Sequence, residues 1–124
     1  MDWQELWSLQ SLCYAFAAMN EQVKTIVSEF RQRLQQLYGE RLEQVILFGS
    51  QARGDAVEGS DIDVMIVLKG EVNLGDEISR TSQLCSDLSL AYDVALSRIF
   101  TSAERFAHEH SPLLVNVHRE GVLV

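Results

Sequence analysis

Residues 47–68 read Leu-Phe-Gly-Ser-Gln-Ala-Arg-Gly-Asp-Ala-Val-Glu-Gly-Ser-Asp-Ile-Asp-Val-Met-Ile-Val-Leu. An apolar run, Val45 to Phe48, stops at Gly49-Ser50; ten residues follow, and Asp61 and Asp63 then open a second apolar run ending at Leu68. Successive strand residues point to opposite faces, so Asp61 and Asp63 share one face while Ile62, Val64 and Ile66 share the other. Two carboxylates held side by side repel each other unless a cation sits between them. The pattern therefore reads as a phosphate cradle facing a cation site, with Mg²⁺ as its natural occupant.

Working outward, the spacing predicts strands over 43–48, 62–68 and 91–96. The connection between the second and third carries Ile78, Leu84, Cys85 and Leu88 on one helical stripe, so those strands should be parallel and start at the same edge of a sheet. Asp93, in Ala91-Tyr92-Asp93-Val94-Ala95-Leu96, then lies near the opening of the third strand. If the first strand runs antiparallel to the second, Gly49-Ser50 reaches that edge too, and four positions of the chain converge there.

Gly49-Ser50, the ten-residue spacer and Asp61-x-Asp63 resemble the signature of the DNA polymerase β-like nucleotidyltransferase superfamily, and the wording GSQARG with SDIDV resembles its minimal members, the MNT proteins. The resemblance spans roughly residues 40–124. It implies an α+β fold, a small mixed β-sheet packed against helices. It further implies two Mg²⁺ ions and ATP as substrate, with Asp61 and Asp63 binding both ions. Asp93 matches the family's third aspartate, which binds the ion nearer the acceptor and takes up its proton. Gly49 and Ser50 would hold the β- and γ-phosphates. Two readings stay open for Arg53, a phosphate or partner contact and an ion pair with an acid such as Asp55. By the same resemblance the chain is the antitoxin partner of a HEPN-domain toxin, an RNase that it neutralises by transferring AMP to a tyrosine hydroxyl. Neutralisation by binding alone and nucleotidylation of a small-molecule hydroxyl are the alternatives.

Composition limits the choices. A chain of 124 residues, 47% hydrophobic, suits one domain with one core, leaving no second domain to hold an acceptor. A formal charge of −8 and the lack of any Lys/Arg run argue against direct contact with nucleic acid. Cys13 and Cys85 have no metal or disulfide spacing and read as free thiols in a reducing compartment. No apolar run is long enough to cross a membrane and the N-terminus lacks a basic leader, so a cytoplasmic location is expected.

The remaining elements follow from caps and stripes. Asn20 caps a helix reaching Tyr38, with Val23, Ile26, Val27, Phe30, Leu34 and Leu37 inward and Gly39 as its stop. Residues 1–19 form an extra N-terminal helix ahead of the domain at 20–124, either packed on that domain or serving as a docking surface with Trp3, Trp7 and Tyr14. Thr101 and Glu104 make a capping box for a helix to about His110, Ser111-Pro112 start another ending at Gly121, and 122–124 add a short strand. His108, His110 and His118 are expected to face solvent or a partner. Arg31, Arg33, Glu40 and Arg41 read as the wet side of a helix and its exit.

Overall fold

The structure, a computed structural model, describes residues 20–54, 56 and 60–124. The expected N-terminal helix, Cys13, Asp55 and Glu58 lie outside the described residues.

Helix α1 (Glu21–Tyr38) starts where its sequence says it should. The Asn20 side chain accepts from the amides of Gln22 at 2.8 Å and Val23 at 3.3 Å, and Gly39 stops the helix at φ +57°. Val23, Ile26, Val27, Phe30 and Leu34 are buried as the stripe requires. Leu37 is the exception, 42% exposed, and Tyr38 is buried in its place. The stripe continues by a step of four, which lets the Tyr38 hydroxyl donate to Glu77 at 3.0 Å.

A turn of 3₁₀ helix leads into β1 (Leu42–Phe48), followed by the one-turn helix α2 (Ser50–Arg53) and β2 (Ile62–Leu68). Strands β1 and β2 are antiparallel, with Phe48 opposite Asp63. Helix α3 (Leu74–Tyr92) then crosses over to β3 (Leu96–Ser102), which lies parallel to β2 with Ser97 beside Asp63. Two short helices, α4 (Ala103–His108) and α5 (Pro112–Glu120), precede β4 (Val122–Leu123), which pairs antiparallel with β1. The sheet order is β3-β2-β1-β4. This is the mixed sheet with covering helices that the motif implied.

Alternation along the strands builds two cores. Val45, Leu47, Ile62, Val64 and Ile66 pack under α1 and α3, while Ile46, Met65 and Val67 pack with Phe106, Leu114 and Val117 of α4 and α5. Asp63 has the parity of Met65 and Val67, hence the second face. The end of β1 and the starts of β2 and β3 meet at one edge of the sheet, as the topology argument required.

Several local expectations are corrected. Residues 91–96 are not a strand: Ala91 and Tyr92 finish α3, Asp93 caps it, and the strand begins at Leu96. On α3 the inward positions are Glu77, Thr81, Cys85 and Leu88; Ile78 is 48% exposed and Leu84 only half-buried. Ser102 caps α4 by accepting from the Arg105 amide at 3.1 Å, while Thr101 is buried within β3, and the helix ends at His108. His118 does not face solvent. It is 3% exposed, stacked on Phe106 at 4.1 Å, with Nε2 2.9 Å from the Phe106 carbonyl. Arg41 is a strut, donating to the carbonyls of Lys69 and Glu71 and pairing with Glu77 at 3.4 Å. Helix α5 and β4 stand where expected. No helix among the described residues is long and apolar enough to cross a membrane.

Candidate active site

The site is assembled where β1 hands over to α2. Gly49 has φ +78°, a conformation that side chains with a Cβ rarely adopt, and it leads directly into Ser50 at the start of α2. The amides of Arg53 and Gly54 close the turn on the carbonyls of Gly49 and Ser50 at 3.1 and 3.0 Å. A second constraint acts on Gly49. A Cβ placed there would stand 2.6 Å from Oδ2 of Asp63, so this glycine lets the backbone lie against the carboxylate.

Asp63 is fixed by the sheet, between Phe48 on β1 and Ser97 on β3. Its carboxyl is pushed above the usual range first by burial, then by the charge of Asp61, and is pulled back by Arg53. Asp61, exposed just before β2, is therefore close enough for the two acids to feel each other. Arg53, whose charge pulls Asp63 back, forms an ion pair with Glu120 at the end of α5, Nη1 to Oε2 at 3.5 Å. Glu120 is an acid that spacing alone did not suggest, and the expected partner Asp55 lies outside the described residues. Gln51 reaches across the chain to donate to the Ser60 carbonyl at 3.4 Å, tying α2 to the start of β2.

Gly49, Ser50, Arg53, Asp61 and Asp63 are thus brought together. Among the described residues no three His, Cys, Asp or Glu side chains are arranged to hold a metal ion, and Asp93 stands off the strand on which the spacing placed it. It sits in the left-handed region at φ 53° and ψ 53°, the C-cap of α3, a conformation that aspartate tolerates better than most residues. It lines a cavity of about 770 Å³ together with Asn20 and Gln22 of α1 and Ser60. The β3 residue beside Asp63 is Ser97, and neighbours in a parallel ladder point to the same face. Ser97 is exposed, and nothing in its surroundings in the sequence marked it.

Two carboxylates at a glycine turn on the edge of a mixed sheet form an anionic, oxygen-rich site fit for a phosphorylated ligand with its counter-cation. Comparisons with known proteins agree with that chemistry. Residues 27–118 match the family described as nucleotidyltransferase domain. Two proteins of Methanocaldococcus jannaschii are similar to the chain. "Putative protein adenylyltransferase MJ0604" is 42% identical over 88 residues, 71% of this chain and 80% of that protein. "Putative protein adenylyltransferase MJ0141" is 40% identical over 74 residues, 60% of this chain and 74% of that protein. A solved "putative nucleotidyltransferase" from Sulfolobus solfataricus superposes with a TM-score of 0.53 at 26% identity, covering 91% of this chain and 85% of that one. A chain of the crystal structure of the toxin–antitoxin MntA–HpeT, a double aspartate-to-glutamate mutant, shares the fold. Its TM-score is 0.50 at 18% identity, with 77% of this chain and 69% of that one covered. The protein whose glycine turn rests against Asp63 belongs to the nucleotidyltransferase domain family and is a nucleotidyltransferase.

Proposed function

We propose that this enzyme transfers AMP from ATP to the hydroxyl of a tyrosine on a partner protein, a HEPN-domain RNase toxin, and so acts as its antitoxin in the cytoplasm. The observation that carries the transfer is the seating of Asp63 beneath the bare backbone of Gly49 with Asp61 beside it. The names of the two archaeal relatives support a protein acceptor, and the fold shared with one chain of the MntA–HpeT toxin–antitoxin structure supports the antitoxin role. Residues 20–124 would be the catalytic domain, with residues 1–19 an added helix.

The site fits a divalent cation. Its donors are hard carboxylate oxygens, and the Asp63 carboxyl, raised first by burial and then by the charge of Asp61, is pulled back in part by Arg53. Asp61 and Asp63 would hold Mg²⁺, which when bound supplies the positive charge that nucleotidyl transfer needs at the attacking and leaving oxygens. Asp93 stands off the strand, at the cap of α3. Gly49 leaves room for phosphate oxygens to approach the main chain, and Ser50 offers its hydroxyl and the first amide of α2 to the β- and γ-phosphates. Arg53 stands close enough to Asp63 to moderate the charge of the pair, and its exposed position suits a phosphate contact as well.

Intact mass spectrometry of a HEPN protein incubated with this chain, ATP and Mg²⁺ tests the proposal. An AMP-sized increment on the partner is expected, and it should vanish with the Asp61→Asn, Asp63→Asn double variant. A stable complex without any increment would instead establish inhibition by binding.

A further inference from the structure

We infer that the cavity beside Asp93 is the nucleoside subsite of this enzyme, taking the base and ribose of the same triphosphate whose phosphates reach the Gly49-Ser50 turn; this rests on the function proposed above. The cavity, about 770 Å³, is lined by the start of α1, the start of β2 and the end of α3. It adjoins the phosphate turn at Gln51, which follows Ser50 in α2 and lines the cavity. Its volume falls within the range of about 300–1,000 Å³ typical of small-molecule sites.

The lining decides which part of the reaction belongs there. The carboxylate of Asp93 and the amides of Gln22 and Gln51 stand around apolar surface from Tyr92, Val94 and Ala95. A nucleoside is a flat apolar ring edged with donors and acceptors, joined to a sugar with two neighbouring hydroxyls, and it matches both parts of that surface. A carboxylate accepts from sugar hydroxyls, and a primary amide both donates and accepts, as a base edge requires. A tyrosine side chain of an acceptor offers one hydroxyl and would leave most of those groups without partners. The left-handed turn at Asp93 ends α3 early and brings this carboxylate to the cavity. Asp93 thus acts on the nucleoside and not in the acid pair.

The test compares ATP with inorganic tripolyphosphate, each with Mg²⁺, by isothermal titration calorimetry. Tripolyphosphate reports on the glycine turn alone, and the advantage of ATP over it reports on the subsite. Gln22→Trp, on an exposed position of the first turn of α1, fills the mouth of the cavity, and Asp93→Asn keeps a residue that accepts the left-handed cap. ATP is expected to bind at least about tenfold tighter than tripolyphosphate to the natural chain. Gln22→Trp should abolish that advantage and Asp93→Asn reduce ATP affinity by about tenfold, with tripolyphosphate held within about twofold in both. Should Asp93→Asn fold poorly, the surface variant Gln22→Trp decides alone. If ATP binds the natural chain and keeps its full advantage in Gln22→Trp, or never has one, the nucleoside subsite is elsewhere and the proposed function stands. If neither ligand binds the natural chain, the reading of the phosphate turn fails and this inference with it.

Discussion

Strand β2 has an acid near each of its ends, and the two are treated in opposite ways. Beyond its far end, Glu77 of α3 is 3% exposed, yet it accepts from the Tyr38 hydroxyl and pairs with Arg41 at 3.4 Å and Arg80 at 3.6 Å. Both guanidinium groups also lie over the Tyr38 ring, 5.7 and 5.9 Å from its centre. Burial and the bond to Glu77 together push the Tyr38 phenol up, so it remains a neutral donor. At the near end, among the described residues, Asp63 meets a second acid and Arg53, which Glu120 also engages. Removing one partner of a buried, compensated acid is costly to the fold, whereas a half-buried acid crowded by another acid marks a candidate ligand site.

The contrast is most exposed to failure at Asp63. Asp63→Asn should cut nucleotidyl transfer by about 10³-fold, since stabilising charge at the reacting phosphate contributes several kcal/mol. The same change removes a charge that the fold disfavours, so the melting temperature should hold or rise. A variant that loses activity because it unfolds would end the distinction between the two acids.

Glu77→Gln should do the reverse. It leaves Arg41 and Arg80 facing a neutral group and weakens the tie between α1 and α3. Because both arginines are partly solvated, the expected cost is about 2 kcal/mol, below the range for fully buried pairs. Chemical denaturation should show that loss, while activity per folded molecule stays within about twofold. A tenfold fall in activity without a stability change would make Glu77 part of the site.

Gly49→Ala lies between these extremes, because one glycine serves both fold and site. Positive φ and the approach to Asp63 Oδ2 should together cost about 1–3 kcal/mol of stability. Tripolyphosphate affinity should fall by about tenfold or more as the turn shifts. Calorimetry on the folded fraction separates the two effects, and unchanged affinity would remove the glycine from the phosphate site.

What could be read in advance follows the range of the interactions. The Asn20 cap, the stop at Gly39, the strand from Ile62 and the hand-over at Gly49-Ser50 depend on neighbours in the chain, and each stands where its residues say. Asp93 was misplaced because Ala91 to Leu96 alternates like a strand. The helix runs on because Tyr92 lies one turn after the buried Leu88, and its hydroxyl donates to Glu29 of α1 at 2.6 Å. That partner is 63 residues away, beyond what local alternation can encode. The same distance hid Glu77, whose stabilising partner Tyr38 closes another helix, and the pairing of Arg53 with Glu120.

His118 gives the finest comparison, being a buried base with little to stabilise its charge where Glu77 is a buried acid with much. Burial lowers its pKa from the ordinary 6.5, opposed by the Phe106 carbonyl and joined by repulsion from His110. The unfolded chain therefore takes up this proton at a higher pH than the folded one does. Its contribution is complete above about pH 6.5 and is lost as pH falls from there through the folded value, stability declining by up to about 1.4 kcal/mol per pH unit. Denaturant midpoints for the natural chain and His118→Phe, taken between about pH 7.5 and 5.5, isolate this residue from the carboxylates common to both. The ring stacks on Phe106 in the second core, so phenylalanine keeps the packing and loses the bond to the Phe106 carbonyl. The variant should start less stable at the upper pH and draw level or pass the natural chain toward the lower. Parallel curves would mean that His118 gains its proton without opening the core between the sheet and α5, and that burial there is looser than its 3% exposure implies.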